Sequence, residues 1–274
     1  MDEELKLQAA SGAIIKKMLG PHVYAVVVKS ENGLFAVDPE DFVIGRALRT
    51  EGAWALGELE RFRSYVTRDS RVLIVGAHIG TLAIPISKLC KEVVAIEANP
   101  VTYELLTTNI TLNSITNCRT INIAASDKDE NIDFLLSRAN SGGSKRVPKS
   151  KEFVYYYDDP EVVSVKAVSL DAYLDDKQFD MVVMDIEGSE YFALKGMPEI
   201  LANAALLAVE FLPHHLKNVS GVTVDQFLSV IDPGFSRLTI LSKKQVVNRP
   251  EFAACLGEMY EKGEGDDGII FEKI

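Results

Sequence analysis

The fold is indicated first by Arg71-Val72-Leu73-Ile74-Val75-Gly76-Ala77-His78-Ile79-Gly80-Thr81, where an apolar run leads into two glycines. An uninterrupted apolar run is typical of a strand buried on both faces, and glycine lets the chain turn tightly into a helix. Similar runs recur at Val93–Ile96, Thr120–Ala124, Met181–Met184 and Leu206–Val209. Helical patterns lie between them at 80–90, 100–113, 189–202 and 223–231. Such alternation predicts a doubly wound, mostly parallel α/β sheet with helices on both faces.

The segment before residue 68 shows a different pattern. Apolar spacing predicts one helix over residues 2–18 and another over residues 53–67, where the stripe that includes Trp54 suits core packing. An Asn-Gly turn predicts a β-hairpin with strands at His22–Ser30 and Leu34–Val37. We therefore expect an N-terminal helical and hairpin extension over residues 1–67, followed by the α/β domain over residues 68–274.

Two regions of the domain depart from strict alternation. The runs Leu238–Leu241 and Gly268–Phe271 are expected to pair at an edge of the sheet. Residues 131–175 form a longer excursion, with a strand predicted at Phe153–Tyr157. Within it, a basic run suits either a solvated loop or a clamp for an anionic acceptor. This run comprises Lys145, Arg146, Lys149 and Lys151.

Composition narrows the class of protein. The 274 residues include 40 acidic and 29 basic side chains, a net charge of −11, which disfavours a nucleic-acid partner. No apolar run reaches the roughly 18 residues of a membrane span, and Met1-Asp2-Glu3-Glu4 does not resemble a signal peptide. The three cysteines are far apart and are expected to be reduced thiols. We expect a cytoplasmic protein without a membrane partner, and an oligomer stays open.

A nucleoside-binding site is indicated by the glycine turn and by the acidic residue after the next strand. Glu97 follows Gly76 by 21 residues, close to the spacing at which a carboxylate meets a ribose diol in nucleotide-binding α/β folds. The third glycine of G-x-G-x-x-G is absent, which weakens the alternative of a nicotinamide-dependent oxidoreductase.

Carboxylates concentrate where the fourth and fifth strands end. Asp185, Glu187 and Glu190 follow one strand, and Glu210 ends the next, just before His214 and His215. Crowded like charges need a cation, a proton or hydrogen-bond donors nearby. The sulfonium of S-adenosylmethionine is such a cation, and so is a divalent metal. As general base we predict Asp185 or Glu187, followed by Glu190, Glu210 and His214, because a hydroxyl acceptor must lose its proton.

Several motifs together resemble the FkbM family of S-adenosylmethionine-dependent methyltransferases. They are Val75–Gly80, Ala95–Pro100, Asn109 with Asn113, Ser169–Asp171, and Met184–Glu190 with Leu194–Gly196. The resemblance covers residues 50–212 and implies a seven-stranded Rossmann-like sheet. It implies that Gly76, Ala77 and Gly80 hold the methionine part, that Glu97 holds the ribose, and that residues 124–126 border the adenine. The expected cofactor-binding set is Gly76, Ala77, His78, Gly80, Glu97, Ala98, Asn99, Ala125, Ser126 and Asp185.

The predicted function is methyl transfer from S-adenosylmethionine to a hydroxyl of a small molecule or sugar. In one alternative, Asp185 and Glu187 bind Mg²⁺, which lowers the pKa of the acceptor hydroxyl. A second alternative is a non-catalytic module that binds the cofactor or a partner. This alternative rests on Ile74 and His78, which stand where the family usually has an acidic residue and an asparagine.

Overall fold

The structure is a computed structural model that describes residues 2–274. Its helices are α1 (Asp2–Leu19), α2 (Ile44–Thr50), α3 (Leu56–Arg63), α4 (Ala83–Ser87), α5 (Pro100–Leu112), α6 (Leu170–Tyr173), α7 (Glu190–Lys195), α8 (Pro198–Asn203), α9 (Pro213–His215), α10 (Val224–Ser229) and α11 (Phe252–Lys262). Its strands are β1 (Val26–Ser30), β2 (Gly33–Val37), β3 (Arg71–Val75), β4 (Glu92–Ile96), β5 (Cys118–Ile121), β6 (Ala124–Ala125), β7 (Glu130–Leu136), β8 (Lys145–Arg146), β9 (Glu161–Val168), β10 (Met181–Met184), β11 (Leu206–Phe211), β12 (Arg237–Ile240), β13 (Gln245–Asn248) and β14 (Asp266–Glu272).

The central sheet confirms the α/β prediction. Its order is β13-β12-β14-β11-β10-β3-β4-β5. The five strands from β11 to β5 run parallel, whereas β14 is antiparallel to both β11 and β12. The predicted pairing of the last two apolar runs is therefore confirmed. The sheet has eight strands rather than seven, because Gln245–Asn248 turns back on β12 and forms the edge.

The strands are apolar because helices cover both faces of the sheet. Leu73 and Val75 pack into the core cluster on one face, and Val72 and Ile74 into the cluster on the other. Burying such side chains is the main favourable term in folding. Ile74 is 2% exposed and packs into the second of these clusters.

The excursion differs from its prediction. Residues Phe153–Tyr155 form a 3₁₀ turn, so the strand predicted at Phe153–Tyr157 is wrong. The excursion instead contains β7 and β9, which pair antiparallel from Glu130↔Ala167 to Leu136↔Glu161 within a separate four-stranded sheet of order β6-β9-β7-β8. The helix predicted over 189–202 is two helices. A proline begins α8, and at Gly196 a Cβ would meet the Ser126 carbonyl oxygen at 1.9 Å.

Two asparagines bind the N-terminal hairpin to the domain. Asn109 lies within α5, and Asn113 is the residue that follows its last turn. The Asn109 amide oxygen accepts from the Ala36 N–H at 2.6 Å, and its nitrogen donates to the Ile79 carbonyl at 2.9 Å. Asn113 accepts from the Leu34 N–H at 3.0 Å and donates to the Leu34 carbonyl at 2.7 Å. These bonds hold the extension against the glycine turn. The division at residue 67 stays a prediction.

Two smaller expectations concern thiols and membranes. Cys90 and Cys255 are buried, Cys118 is half-buried, and all three are free. Among residues 2–274, no helix has both the length and the hydropathy needed to cross a bilayer. The cytoplasmic location stays a prediction.

Candidate active site

A cleft lies at the carboxyl ends of β3, β4 and β10, where ligands bind in open α/β sheets. Its empty volume is about 1340 Å³, including space open to solvent. The predicted site residues that line it are Gly76, Ala77, His78, Glu97, Ala98, Ala125, Asp185 and Glu187. The extension contributes Val43, Ile44, Trp54, Ala55 and Glu58. Asn140, Ser141, Gly142 and Ser144 of the excursion also line it.

The glycine turn is shaped by close approach of two main chains. Gly76 has a φ of +89°, and a Cβ there would lie 1.7 Å from the main-chain oxygen of Asp185. Only glycine fits such a position. Gly80 also has a positive φ, but a Cβ there would face Leu106 and Ile84 in the core. It therefore shapes the turn and does not line the cleft.

Glu97 is held by the main chain around it. Its carboxylate accepts from the His78 N–H at 2.7 Å and from the Asn99 N–H at 2.8 Å. Burial raises the pKa of Glu97 to about 7, while hydrogen bonds from main-chain N–H groups act in the opposite direction. Each carboxylate oxygen has a second lone pair. Glu97 can therefore accept further hydrogen bonds from a ligand in the cleft.

The other predicted cofactor residues separate into two groups. Ala98 and Ala125 line the cleft. The Asn99 side chain instead caps α5, accepting from the N–H groups of Val101 and Thr102. Ser126 is fully buried, and its hydroxyl accepts from the Arg146 guanidinium at 3.1 Å. Asn99 and Ser126 therefore support the walls of the site from outside the cleft.

His78 connects three segments of the chain. It has a φ of +50°, a conformation that L-residues with large side chains rarely adopt. Its Nε2 lies 2.7 Å from the Ser141 hydroxyl, which donates to the carboxylate of Asp41 in the extension. Burial lowers the pKa of His78 to about 4, so the ring is neutral near pH 7. The positive φ is thus held by contacts to both the extension and the excursion.

Asp185 presents its carboxylate to the cleft at the end of β10. Its side chain accepts no hydrogen bond and forms no ion pair within residues 2–274, although protein surrounds it on the other sides. Asp185 is exposed to the cleft. Desolvation by the surrounding protein, together with the charges of Glu187 and Glu190, raises its pKa above the usual value. A carboxylate of this kind is suited to take up a proton or to face a cation.

Glu187 lines the cleft, and on the side away from the cleft its carboxylate contacts other side chains of the protein. Its φ is +57°, and its Oε2 accepts from the Lys145 ammonium at 2.7 Å. The Nε2 of His215 lies 3.4 Å from the same oxygen. Burial lowers the pKa of His215 to about 2, so this ring is also neutral near pH 7.

The remaining predicted catalytic residues do not line the cleft. Glu190 accepts from the N–H groups of Ile186 at 3.0 Å and Gly188 at 3.2 Å, so it closes the turn between β10 and α7. Glu210 is buried behind the cleft, and His214 is exposed on α9. A catalytic role for these three stays a prediction without a contact to support it.

Sequence reasoning missed several residues of the site. His215, the neighbour of the chosen His214, is the histidine that joins the cluster, because α9 turns its ring inward. Lys145 is buried and ion-paired, although it stands in a run that resembles a solvated loop. Trp54 and Glu58 reach the cleft from the extension, where only core packing was expected for Trp54. Burial also raises the pKa of Glu58 to about 7.

The fold and the cleft are those of an open α/β protein with a ligand-sized space at the carboxyl ends of its strands, and a family comparison specifies the class. The family model described as the methyltransferase FkbM domain matches residues 75–234. The chain belongs to the FkbM methyltransferase family. A search of curated proteins gave no match.

Three solved structures are among those similar to this chain. An FkbM methyltransferase from Methylobacillus flagellatus is 16% identical, with 75% of this chain and 44% of that chain covered and a TM-score of 0.44. A tRNA m1G37 methyltransferase from M. jannaschii is 15% identical, with 93% and 58% covered and a TM-score of 0.45. TYW2 from M. jannaschii, in complex with AdoMet, is 17% identical, with 93% and 89% covered and a TM-score of 0.43. The chain thus spans about half the length of the first two.

Proposed function

We propose that this protein transfers a methyl group from S-adenosylmethionine to a hydroxyl of a small molecule or sugar, with Asp185 as the general base. The observation that supports this most directly is the carboxylate of Asp185. It opens onto the cleft beside the glycine turn, and no described side chain neutralises it. Family membership supports methyl transfer. Asp185 is the residue that can accept the proton from the acceptor hydroxyl.

The cleft has the features that this cofactor needs. Gly76 lets a ligand approach the main chain, and the free lone pairs of Glu97 suit the two ribose hydroxyls. Apolar side chains of Ile123 and Phe134 line the part of the cleft near Ala125, where a flat adenine would pack. The carboxylate of Asp185 suits a nearby sulfonium charge.

The proton transfer assigned to this chain is simple. When bound, S-adenosylmethionine supplies a methyl group on cationic sulfur, and transfer forms a carbon–oxygen bond while the carbon–sulfur electron pair stays on sulfur. Asp185 accepts the proton that the acceptor hydroxyl loses. Its raised pKa makes it a stronger base than an ordinary aspartate. Glu187 faces the same space and completes the acidic wall.

Charge favours a small, uncharged acceptor over a nucleic acid. The net charge is −11, and Glu58, Asp185 and Glu187 line the cleft. A phosphate backbone approaching this wall would be repelled. This charge supports a small hydroxyl compound as the proposed acceptor, although tRNA methyltransferases are among the similar structures.

The alternative with Mg²⁺ is not retained in this proposal. It requires Glu187 as an oxygen ligand beside Asp185. In the structure, the Lys145 ammonium already neutralises Glu187 at 2.7 Å. A second cation on the same carboxylate would be repelled by the first.

The test combines cofactor binding with an acceptor screen. Calorimetry should detect S-adenosylmethionine binding, and a panel of hydroxyl compounds should yield S-adenosylhomocysteine with wild-type protein. Asp185→Asn keeps the shape of the side chain and should lower kcat by about 10² or more, with little change in cofactor affinity. Asp69→Asn, on the exposed surface, is the matched control and should leave kcat unchanged.

Three results would contradict the proposal. Binding without turnover across the panel favours the non-catalytic module, and thermal stabilisation by a nicotinamide cofactor alone favours the oxidoreductase. Wild-type kcat in Asp185→Asn would remove this residue from proton transfer and return the role to Glu187.

A further inference from the structure

A second cluster of ionisable side chains lies directly behind Glu187. Glu210 lies in β11 and His215 in α9. One donor atom from each of Glu187, Glu210 and His215 falls within 4.8 Å of the others. Glu210 and His215 are 9% and 5% exposed. Two carboxylates and an imidazole are donors that divalent metal ions accept. Buried together, they need a positive charge close by.

Lys145 brings that charge into the cluster from β8. Its ammonium donates to Glu187 at 2.7 Å, lies 3.1 Å from Nε2 of His215, and sits 5.3 Å from the centre of the Tyr155 ring. The lysine side chain is only 9% exposed. An ammonium has three hydrogens to donate, and here carboxylate, imidazole and aromatic face surround it.

The hydrogen bonds also fix the histidine tautomer. An ammonium has no lone pair, so Nε2 of His215 must accept from Lys145. The ring proton then resides on Nδ1, which lies 3.5 Å from Oε2 of Glu210. Nδ1 of His215 and Oε2 of Glu210 are both buried, and within residues 2–274 neither atom has a hydrogen-bond partner. Hydrogen bonds therefore join His215, Lys145 and Glu187 in a series that ends at the cleft, and Glu210 lies close to the imidazole without a hydrogen bond to it.

We propose that Glu187, Glu210 and His215 form a cation-binding site whose cation is the Lys145 ammonium. The ammonium contacts two of the three donors, Glu187 and His215, and supplies the positive charge that a divalent metal would supply to the cluster. Lys145 is a positioning residue, because it holds the Glu187 carboxylate at the wall of the cleft without reaching the cleft itself. Only this positioning role rests on the proposed methyl transfer; the identity of the cation does not.

The test removes the ammonium and offers a metal ion to the purified protein. Lys145→Ala leaves the three donors and clears space beside Glu187 and His215. Mn²⁺, titrated and followed by electron paramagnetic resonance, should bind this variant at one site about 10- to 100-fold more tightly than wild type. Mn²⁺ should also raise the Tm of Lys145→Ala and leave the wild-type Tm unchanged, because binding to the folded state stabilises it.

Two further variants separate this site from adventitious binding. Lys145→Ala combined with His215→Ala lacks one donor and should lose the added affinity. Lys145→Arg keeps a cation and should bind Mn²⁺ no better than wild type. If Lys145→Ala folds only when Mn²⁺ is present during refolding, and the double variant does not, the proposal is supported equally.

The proposal is overturned by any of three outcomes. The first is an equal Mn²⁺ affinity of wild type and Lys145→Ala. The second is an unchanged affinity in the double variant. The third is a Lys145→Ala protein that neither binds Mn²⁺ nor folds with it. None of these readouts uses S-adenosylmethionine or an acceptor. Failure here therefore leaves methyl transfer standing, and failure of the acceptor screen leaves the cation site standing.

Discussion

The two ends of the cleft hold their carboxylates in different ways. At the glycine turn, Glu97 is fixed by main-chain N–H groups of His78 and Asn99. At the other end, Glu187 is fixed by side chains, namely Lys145, 42 residues away in sequence, and His215 beyond it. A main-chain arrangement depends on the path of the backbone, whereas a side-chain arrangement depends on the identity of each partner. The Glu97 end should therefore be most sensitive to substitutions that change the path of the backbone. The Glu187 end should be most sensitive to substitutions that change the charge of a side chain.

The largest effect is expected at the glycine turn, where shape is decisive. Gly76→Ala places a methyl group 1.7 Å from the Asp185 main-chain oxygen at a φ of +89°. Overpacking and the left-handed conformation together should lower the free energy of unfolding by about 2–5 kcal/mol. Denaturant titration measures this change, and cofactor binding should be lost as well.

The matched control for that substitution lies in a helix. Gly257 stands inside α11 with nothing within 4 Å of its would-be Cβ. Gly257→Ala should stabilise the protein by up to about 1 kcal/mol. Equal changes in the free energy of unfolding for the two variants would show that the contact between main chains does not determine the glycine turn. The proposed difference between the two ends of the cleft would then be wrong for the Glu97 end.

The same difference explains what could be predicted from the sequence. The sequence places Gly76 and Glu97 at the cleft because their positions follow from local geometry, a strand followed by a turn at a known spacing. Their contact with a cofactor stays a prediction. The sheet was predicted for the same reason, since buried parallel strands are apolar without interruption. The eighth strand was not, because Gln245–Asn248 carries little apolar signal and pairs only at the edge.

The residues around Glu187 could not be identified from local sequence patterns. Lys145 and His215 are 70 residues apart in sequence. Lys145 lies in the two-residue strand β8, which the basic run in the sequence does not predict. His214 and His215 are equivalent in sequence, and only the turn of α9 decides which ring points inward. Trp54 and Glu58 approach from outside the main domain, where the apolar stripe is explained equally well by packing.

A smaller effect tests which end binds the cofactor. Glu97→Gln removes the charge that strengthens hydrogen bonds to the ribose, and S-adenosylmethionine affinity should fall by about 1–3 kcal/mol. Glu187→Gln is the matched substitution at the other end and should change that affinity by less than about 0.5 kcal/mol. Calorimetry on both folded variants measures the contrast. Similar losses in the two variants would mean that the ends are not separate in function.

The smallest expected effect is the pH dependence of cofactor binding. The pKa of Glu97 is raised to about 7, so in the free protein this carboxyl is largely protonated at pH 6 and largely ionised at pH 8. The ionised form accepts both ribose hydroxyl hydrogens, and affinity should therefore rise about tenfold, or 1.4 kcal/mol, between these two values. His78, with a pKa of about 4, does not change charge in this range. Glu190 also has a pKa of about 7, but it binds main-chain N–H groups outside the cleft. Glu58 lines the cleft with a pKa of about 7, and Glu58→Gln is the control that removes its contribution.

Two variants assign that pH dependence to one end of the cleft. Asp185 also titrates above its usual range, and its ionised form would favour a sulfonium. Asp185→Asn removes this contribution and should keep the tenfold rise that belongs to Glu97. Glu97→Gln should lose the tenfold rise in cofactor affinity and keep only the part of the pH dependence that comes from Asp185. A pH profile that disappears in Asp185→Asn and persists unchanged in Glu97→Gln would transfer the cofactor contact from the main-chain-held carboxylate to the end of β10, and Glu97 would then serve only to fix the glycine turn.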